Sequence, residues 1–428
     1  MLSQKVIDIE SSENIHLKSN HGNCRLCNQA LTTTVIDLGM SPLANAYISY
    51  EAHNKMEPFF PLHALICDSC YLVQLEKFEE PKEIFSDYLY FSSYSSSWLR
   101  HAKNYIIEQA LRFSLTSSSL IVEIASNDGY LLQYAMEMGI GVLGIEPATT
   151  VAQVAREKGI PTESLFFGRE TALYLKNKGY TADLMTANNV VAHVPDLHDF
   201  LEGFRILLSE KGVVTFEFPH LMRMIQETQF DTIYHEHFSY FSLKTIQRAL
   251  FEHGLRVFDV EELPTHGGSL RVYATHEKNE ELLTLEAVES LLVRERNAGL
   301  EQILTYETFA QRVFKIKGDL LEFLINAGRN GLKVVGYGAP AKGNTLLNYC
   351  GVKSDLISFT TDMNPHKQNM LLPGTHIPIF SPDIIKNNKP DFIVIFPWNL
   401  EEEIVNQLSF VSEWGGKFVI PIPELKII

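Results

Sequence analysis

Residues 120–132 read LIVEIASNDGYLL. The first six are strand-like, Ser126–Gly129 form a turn, and the apolar letters that follow continue into YLLQYAMEMG at helical spacing. The unit recurs downstream. GVLGIEP (141–147) precedes a helical TTVAQVAREKG, ADLMTANNV (182–190) precedes LHDFLEGFRILLSEKG, and VVTFEFP (213–219) follows. Strand–helix alternation at this spacing predicts a parallel sheet covered on both faces.

The same reading extends to both ends of the chain. Tyr306, Phe309, Val313, Ile316, Leu320 and Leu324 keep helical spacing and predict one or two long connecting helices. A second alternation follows in LKVVGYG, a helix from Ala341, DLISFTTD, PDFIVIFP and KFVIPIP. Toward the N-terminus, residues 21–80 are short strand-like runs broken by Cys, Pro and Gly, and residues 81–112 look helical. The expected organisation is an extension over 1–20, a zinc-binding module over 21–80, an α/β domain over 81–295, and linker helices with a second, smaller α/β domain over 296–428. A cleft between two α/β units is a common ligand location.

The chain has 428 residues, 45% of them hydrophobic, which excludes disorder over most of its length. Its 36 basic and 52 acidic residues leave a net charge of −16, a poor match to duplex nucleic acid. No apolar run is long enough for a membrane span, and the first 20 residues lack the apolar core of a secretory signal. Five cysteines do not make a disulfide scaffold, so a reducing, cytoplasmic setting is expected.

Four of those cysteines form two C-x-x-C knuckles, Cys24/Cys27 and Cys67/Cys70. Each knuckle turns two thiolates to one side, and four soft ligands close a tetrahedral zinc site with no open position. Such zinc is structural. Two unrelated redox or buried pairs are the plain alternative.

In the 120–132 unit, Glu123 lies near the strand end and Asn127, Asp128 and Gly129 make the turn. Glu146 ends the next strand, where an acidic residue can bind both hydroxyls of a ribose. A pyrophosphate needs a Gly-rich turn, and here Asp128 and Glu123 would repel it. A cationic ligand with a ribose, such as S-adenosylmethionine, suits this turn better. An ordinary strand–turn–helix with solvated acids fits the same letters. Asn189 and His193, past the third strand, fall where the methionine end or the reacting centre would lie.

The densest chemical stretch is QFDTIYHEHFSYFS, with Tyr234, His235, Glu236, His237 and Tyr240. Read as extended chain, His235 and His237 share one face and Tyr234 and Glu236 the other. Acid–base chemistry fits better than metal: His accepts a proton, a carboxylate orients it, and Tyr donates to an oxyanion. An aromatic sheet edge is the bland reading. Thr265–Arg271 (THGGSLR) has the composition of a substrate loop or of a simple Gly-Gly turn, and Arg271 suits an anionic substrate. Gly336–Gly343 (GYGAPAKG) satisfies G-x-G-x-x-A, with Asp362 ending the next strand. It suits a dinucleotide or, equally, a sugar nucleotide.

Taken in order, the two C-x-x-C pairs, EIASNDGYLL, GIEPA, NNVVAHVPDL, FPHL, QFDTIYHEHFSYFS, LPTHGGSLRVY, GYGAPAKGNTLLNYCG and TDMNPHKQNMLLPGTHIPI closely resemble the sugar-nucleotide C-methyltransferases. These are the family of the C-3′-methyltransferase of D-tetronitrose biosynthesis, and the resemblance covers residues 22–428. It implies a zinc module, a central class I (Rossmann-like) methyltransferase domain and a C-terminal Rossmann-like domain, with S-adenosylmethionine and structural zinc as cofactors. It implies zinc ligands Cys24, Cys27, Cys67 and Cys70, and a cofactor wall of Glu123, Ala125, Asn127, Asp128, Gly129, Glu146, Pro147, Asn189 and Val190. His237 resembles the base, with Tyr234, Glu236 and His193 beside it and Tyr88 as a substrate-side aromatic. Arg271, Gly338, Lys342, Asn344, Asp362 and Lys367 are the expected substrate contacts.

The expected reaction is C-3 methylation of a nucleotide-linked 4-keto-deoxysugar, dTDP-type, through an enolate whose oxygen Tyr234 or His193 would hold. The expected protein is a monomer or small homo-oligomer with no nucleic-acid or membrane partner. Two other readings stand beside it: an NAD-dependent sugar-nucleotide oxidoreductase, and a zinc-ribbon interaction protein.

Overall fold

A computed structural model describes residues 21–79, 93 and 96–428. The expected extension over 1–20, and Tyr88, lie outside the described residues.

The central sheet has seven strands: β1 Leu120–Ile124, β2 Gly141–Ile145, β3 Thr162–Glu163, β4 Ala182–Asn188, β5 Leu208–Pro219, β6 Leu255–Leu263 and β7 Ser269–His276. Their spatial order is 3-2-1-4-5-7-6. Strands β1–β5 pair in parallel, and β7 runs antiparallel between β5 and β6. Strand β1 is all but continuous in apolar residues because helices cover both faces of the sheet. The direction of winding reverses between β1 and β4, which opens a crevice beyond their carboxyl ends.

The C-terminal unit repeats this plan in miniature. Val334–Tyr337 is flanked in parallel by Thr360–Thr361 and Phe392–Ile395, and Lys417–Ile420 extends the sheet. Helix Ala341–Cys350 leaves the end of its first strand. A single 27-residue helix, Ile303–Arg329, connects the two units. The six residues picked out by helical spacing are all buried along it.

The zinc module is an antiparallel sheet of Thr33–Ser41, Phe60–Ile66 and Val73–Leu75. Its fourth strand comes from the central domain: Ser239–Tyr240 pairs with Val73–Leu75. Ile48–Ser49 of the module pairs in turn with Met370–Leu371 of the C-terminal unit. One contiguous apolar core, from Leu65 through Phe216 to Val394, therefore runs through all three parts. Each fully buried large side chain in it contributes about 1.5–3 kcal/mol.

Candidate active site

Both knuckles have the same backbone. The carbonyl of Cys24 accepts from Asn28 N, that of Cys67 accepts from Tyr71 N, and Asn28 and Tyr71 are both left-handed (φ 60° and 64°). The turns bring four Sγ atoms within 4.8 Å of one another, and no disulfide joins them. A set of four converging thiols fits a tetrahedral metal such as zinc. Gln74 stands behind it, donating to Cys24 Sγ at 3.1 Å while accepting from Arg25 N.

The crevice of the central sheet opens into a cavity of about 840 Å³ that reaches the C-terminal unit. Ala125, Asn127, Glu146, Pro147, Asn189 and Val190 line one end. Ala125, Asn127 and Asn189 all carry positive φ (54°, 51° and 56°). Such strain costs about 1–3 kcal/mol per residue and concentrates at ligand sites. The Glu146 carboxylate accepts from Asn127 N at 2.9 Å and Ala148 N at 2.8 Å, and burial pushes it up.

Glu123, Asp128 and Gly129 are close by but do not line the cavity. Asp128 is tied to Lys158 at 3.0 Å and to Ser93, so the turn is less negative than its letters suggest. Burial drives Glu123 well above the usual carboxylate range. Glu123 Oε2, Asp128 Oδ1 and Asn189 Oδ1 are buried acceptors with no donor. Of these, Asn189 lines the cavity, and with the Glu146 carboxylate on its wall it offers acceptors that fit a ligand bringing an ammonium and hydroxyls, as S-adenosylmethionine does. Gly129 (φ +77°) packs so closely that a Cβ would lie 2.3 Å from Ile160 Cδ1.

The Tyr-His-Glu-His segment is a turn, not the extended chain its alternation suggests. His237 N donates to Tyr234 O at 2.9 Å, so Tyr234 and His237 meet instead of facing apart. Their rings lie 4.0 Å apart, and the Tyr234 hydroxyl is 2.8 Å from His237 Nε2. His237 Nδ1 donates to Thr232 O at 2.9 Å, which fixes the tautomer with a basic Nε2. His235 turns away to Pro61 O and the rings of Phe60 and Phe78. His193 Nδ1 donates to Glu236 O at 2.6 Å, so its Nε2 is an acceptor and the neutral ring cannot donate to an enolate oxygen as expected.

Burial holds His193 at about 4 and His237 well below the usual histidine value, helped for His237 by His193 and Lys342. Glu236 accepts from Asn45 Nδ2 at 3.1 Å, its Oε2 has no donor, and burial pushes it up.

All three parts of the chain hold this turn. The zinc module supplies Asn45 and the strand partner of Ser239–Tyr240. The C-terminal unit supplies Thr345, donating to Ile233 O at 3.0 Å, and Trp398, donating to Asp231 at 2.7 Å.

Of the expected substrate contacts, Lys342 and Lys367 line the far end of the cavity. Lys342 Nζ reaches His266 O at 3.2 Å and lies over Trp398, and Lys367 donates to Ala339 O at 2.8 Å. The others do not line it. Asp362 accepts from Ala339 N at 2.7 Å, so the chain's own acid occupies the amide that a dinucleotide phosphate would use. Asn344 donates to Ala44 O at 2.6 Å. Gly338 (φ +88°) packs against Pro397, where a Cβ would approach to 2.6 Å. Arg271 lies in β7, 2% exposed, and pairs with Glu217 at 2.8 Å and Glu261 at 2.9 Å. Its strand position buries it behind the cavity.

Thr265 and His266 of the expected substrate loop line the cavity, whereas Asn45, Tyr130 and Asn399 line it without a sequence signal. Trp98 and His101, three apart on helix Ser96–Arg112, stack at 4.9 Å and also face the cavity. Their i, i+3 spacing was the one available clue.

Three family models match the chain: a zinc binding domain over residues 24–85, a methyltransferase domain over 98–260 and a C-methyltransferase C-terminal domain over 264–423. C-methyltransferase NovU of Streptomyces niveus is 35% identical over 405 residues, 95% of this chain and 96% of its own length. Among solved structures, an S-adenosylmethionine-dependent methyltransferase of Clostridium acetobutylicum is similar at 11% identity over 42% of this chain and 92% of its own (TM-score 0.33). Magnesium protoporphyrin IX methyltransferase of Synechocystis, with bound SAM, is similar at 13% identity over 42% of this chain and 79% of its own (TM-score 0.32).

Proposed function

The chain belongs to the S-adenosylmethionine-dependent C-methyltransferases, and on that premise we propose that it methylates C-3 of a nucleotide-linked 4-keto-deoxysugar, with His237 as the base. The observation that carries this reading is the tautomer of His237, pinned at Nδ1 and basic at Nε2, on the wall of a cavity that joins the cofactor end to the C-terminal unit.

A carbon beside a ketone is acidic because its anion delocalises onto oxygen. Burial keeps His237 neutral at physiological pH and able to accept that proton. The Tyr234 hydroxyl bridges to Nε2, so the C-3 proton passes to the Tyr oxygen as the Tyr proton moves to His237. Burial pushes Glu236 up, and when protonated its Oε2–H can donate to the developing 4-oxyanion. S-adenosylmethionine, when bound, supplies an electrophilic methyl group. The chain's part is to hold both ligands in line and exclude water, a large share of the rate. His193 accepts from a substrate hydroxyl instead of stabilising the oxyanion.

The oxidoreductase reading finds no support, since Asp362 fills its own glycine loop. The interaction-protein reading leaves the paired Tyr234 and His237 without a purpose. Among the described residues no helix is long and apolar enough to cross a membrane.

The test is incubation of the protein with methyl-labelled S-adenosylmethionine and a panel of 4-keto sugar nucleotides. Label is expected on C-3, and hydrogen–deuterium exchange at C-3 without the methyl donor should need His237. Label on oxygen, or none with any member, overturns the reading.

A further inference from the structure

Arg25 stands between the two cysteines of the first knuckle and does not line the cavity, so the chemistry of the 234–237 turn makes no direct use of it. Its backbone N donates to Gln74 Oε1 at 3.0 Å, and its Nη2 donates to Leu75 O. The guanidinium also lies over the Phe238 ring, with Cζ 5.5 Å from the centroid. Its Nη1 is buried with no hydrogen-bond partner. Burial lowers Arg25 to about 10, which leaves it charged, and the neighbour that favours the charge most is Cys24 of the four-thiol set. A buried cation with an open nitrogen is a costly way to join a loop to a strand, which points to a use for its position.

Both side-chain contacts converge on one residue. Phe238 is 1% exposed and directly follows His237. Arg25 covers its ring, and Leu75, whose O accepts from Arg25, donates its own N to Phe238 O at 3.0 Å. The pairing continues with Gln74 opposite Ser239 and Val73 opposite Tyr240. Gln74 in turn donates to Cys24 Sγ at 3.1 Å. One run of contacts thus leads from the thiol cluster through Arg25 and Gln74 to the peptide that carries the base. Tyr234, Tyr240 and His193 face the His237 ring, and Lys342 and His266 act on it by charge. Arg25 is not among them, so its influence on the ring runs through Phe238.

We propose that Arg25 is a positioning residue for His237: it fixes Phe238 at ring and backbone, and so sets the base from the first knuckle. The proposal rests on the assignment of His237 as base and adds what holds it in place. The planar fork is needed, because its edge reaches the Leu75 carbonyl while its face covers the Phe238 ring. A lysine ammonium keeps the charge but not both contacts.

The test uses the full, zinc-loaded chain as Arg25→Met and Arg25→Lys. Zinc counted by atomic absorption and S-adenosylhomocysteine affinity by calorimetry should stay at wild-type values. In each variant kcat should fall by about ten- to a hundredfold, the effect of displacing a catalytic group by about 1 Å, while KM changes little. The decisive readout needs no sugar: the NMR titration of His237 in histidine-labelled protein, assigned by its loss in His237→Asn. Its midpoint should lie well below 6.5 in the wild-type chain and climb toward 6.5 in both variants, because a loosened turn admits water to the ring. A wild-type His237 titration, or wild-type kcat, in either zinc-loaded variant overturns the proposal. Loss of zinc from both variants also overturns it, since Arg25 is then a prop of the metal site alone. If the wild-type protein methylates no sugar nucleotide yet the titration shifts, the hold on His237 stands and the methylation reading falls.

Discussion

Replacing Arg271 by Met separates a structural ion pair from a substrate contact. The guanidinium is 2% exposed and donates to Glu217, whose side chain is fully buried. Without it, Glu217 keeps His101 at 2.9 Å and Thr265 at 3.1 Å but loses its full positive charge. Stranding a buried carboxylate in this way costs about 3–5 kcal/mol. A second route gives a similar size. Burial pushes Glu217 up, but the His101 and Arg271 contacts prevail and hold it at about 2, against an ordinary 4.5. That gap is worth ~3 kcal/mol. The sign follows from proton binding: the unfolded chain takes up the proton first, so the stabilisation is complete above about pH 4.5 and fades as pH falls through about 2.

Urea unfolding of Arg271→Met at pH 7 should therefore show about 3–5 kcal/mol less stability, or roughly 6–20 °C in Tm for a unit of this size. The double variant Glu217→Gln/Arg271→Met should recover most of the loss, because no charge is then stranded. An Arg271→Met protein of unchanged stability with a raised KM for the sugar nucleotide would refute this reasoning and return Arg271 to the substrate.

Four further outcomes are expected. His237→Asn should lower turnover by about 10²–10⁴-fold while S-adenosylhomocysteine still binds by calorimetry; near-normal turnover removes His237 from the mechanism. Because burial lowers His237, kcat/KM should stay level from pH 7 to below 6.5 before its acid limb begins, and a limb at or above 6.5 contradicts the buried base. His193, held at about 4 by burial, takes up its proton more readily when unfolded. The fold should thus lose up to ~3 kcal/mol as pH falls from about 6.5 to 4, less so in His193→Gln, and identical pH curves for the two proteins would rule this out. Cys67→Ser should abolish bound zinc by atomic absorption and expose residues 21–79 to protease, whereas one zinc per chain in that variant would show the knuckles are not its ligands.

Strand ends and helix stripes were legible because they obey local rules. Glu146 closes an apolar run before a helical one, and the 303–329 stripe repeats at helical spacing. The two knuckles were legible because C-x-x-C fixes its own geometry. The Tyr-His-Glu-His stretch was not, and the reason is physical. Alternating letters suggest a strand only if the backbone is free to extend. Here Ile233 and Asp231 are held by Thr345 and Trp398, residues 112 and 167 positions away, and Glu236 by Asn45, 191 positions away. With both flanks anchored to other parts of the chain, the segment closes as a turn, and closing it brings Tyr234 onto His237. The contact that makes a base out of this histidine is thus a product of tertiary packing, which no window of neighbouring residues contains. The same holds for Arg271. Its charge suggested a substrate partner, but the β5–β7 register sets it opposite Glu217, and two buried opposite charges on adjacent strands satisfy each other before any ligand arrives.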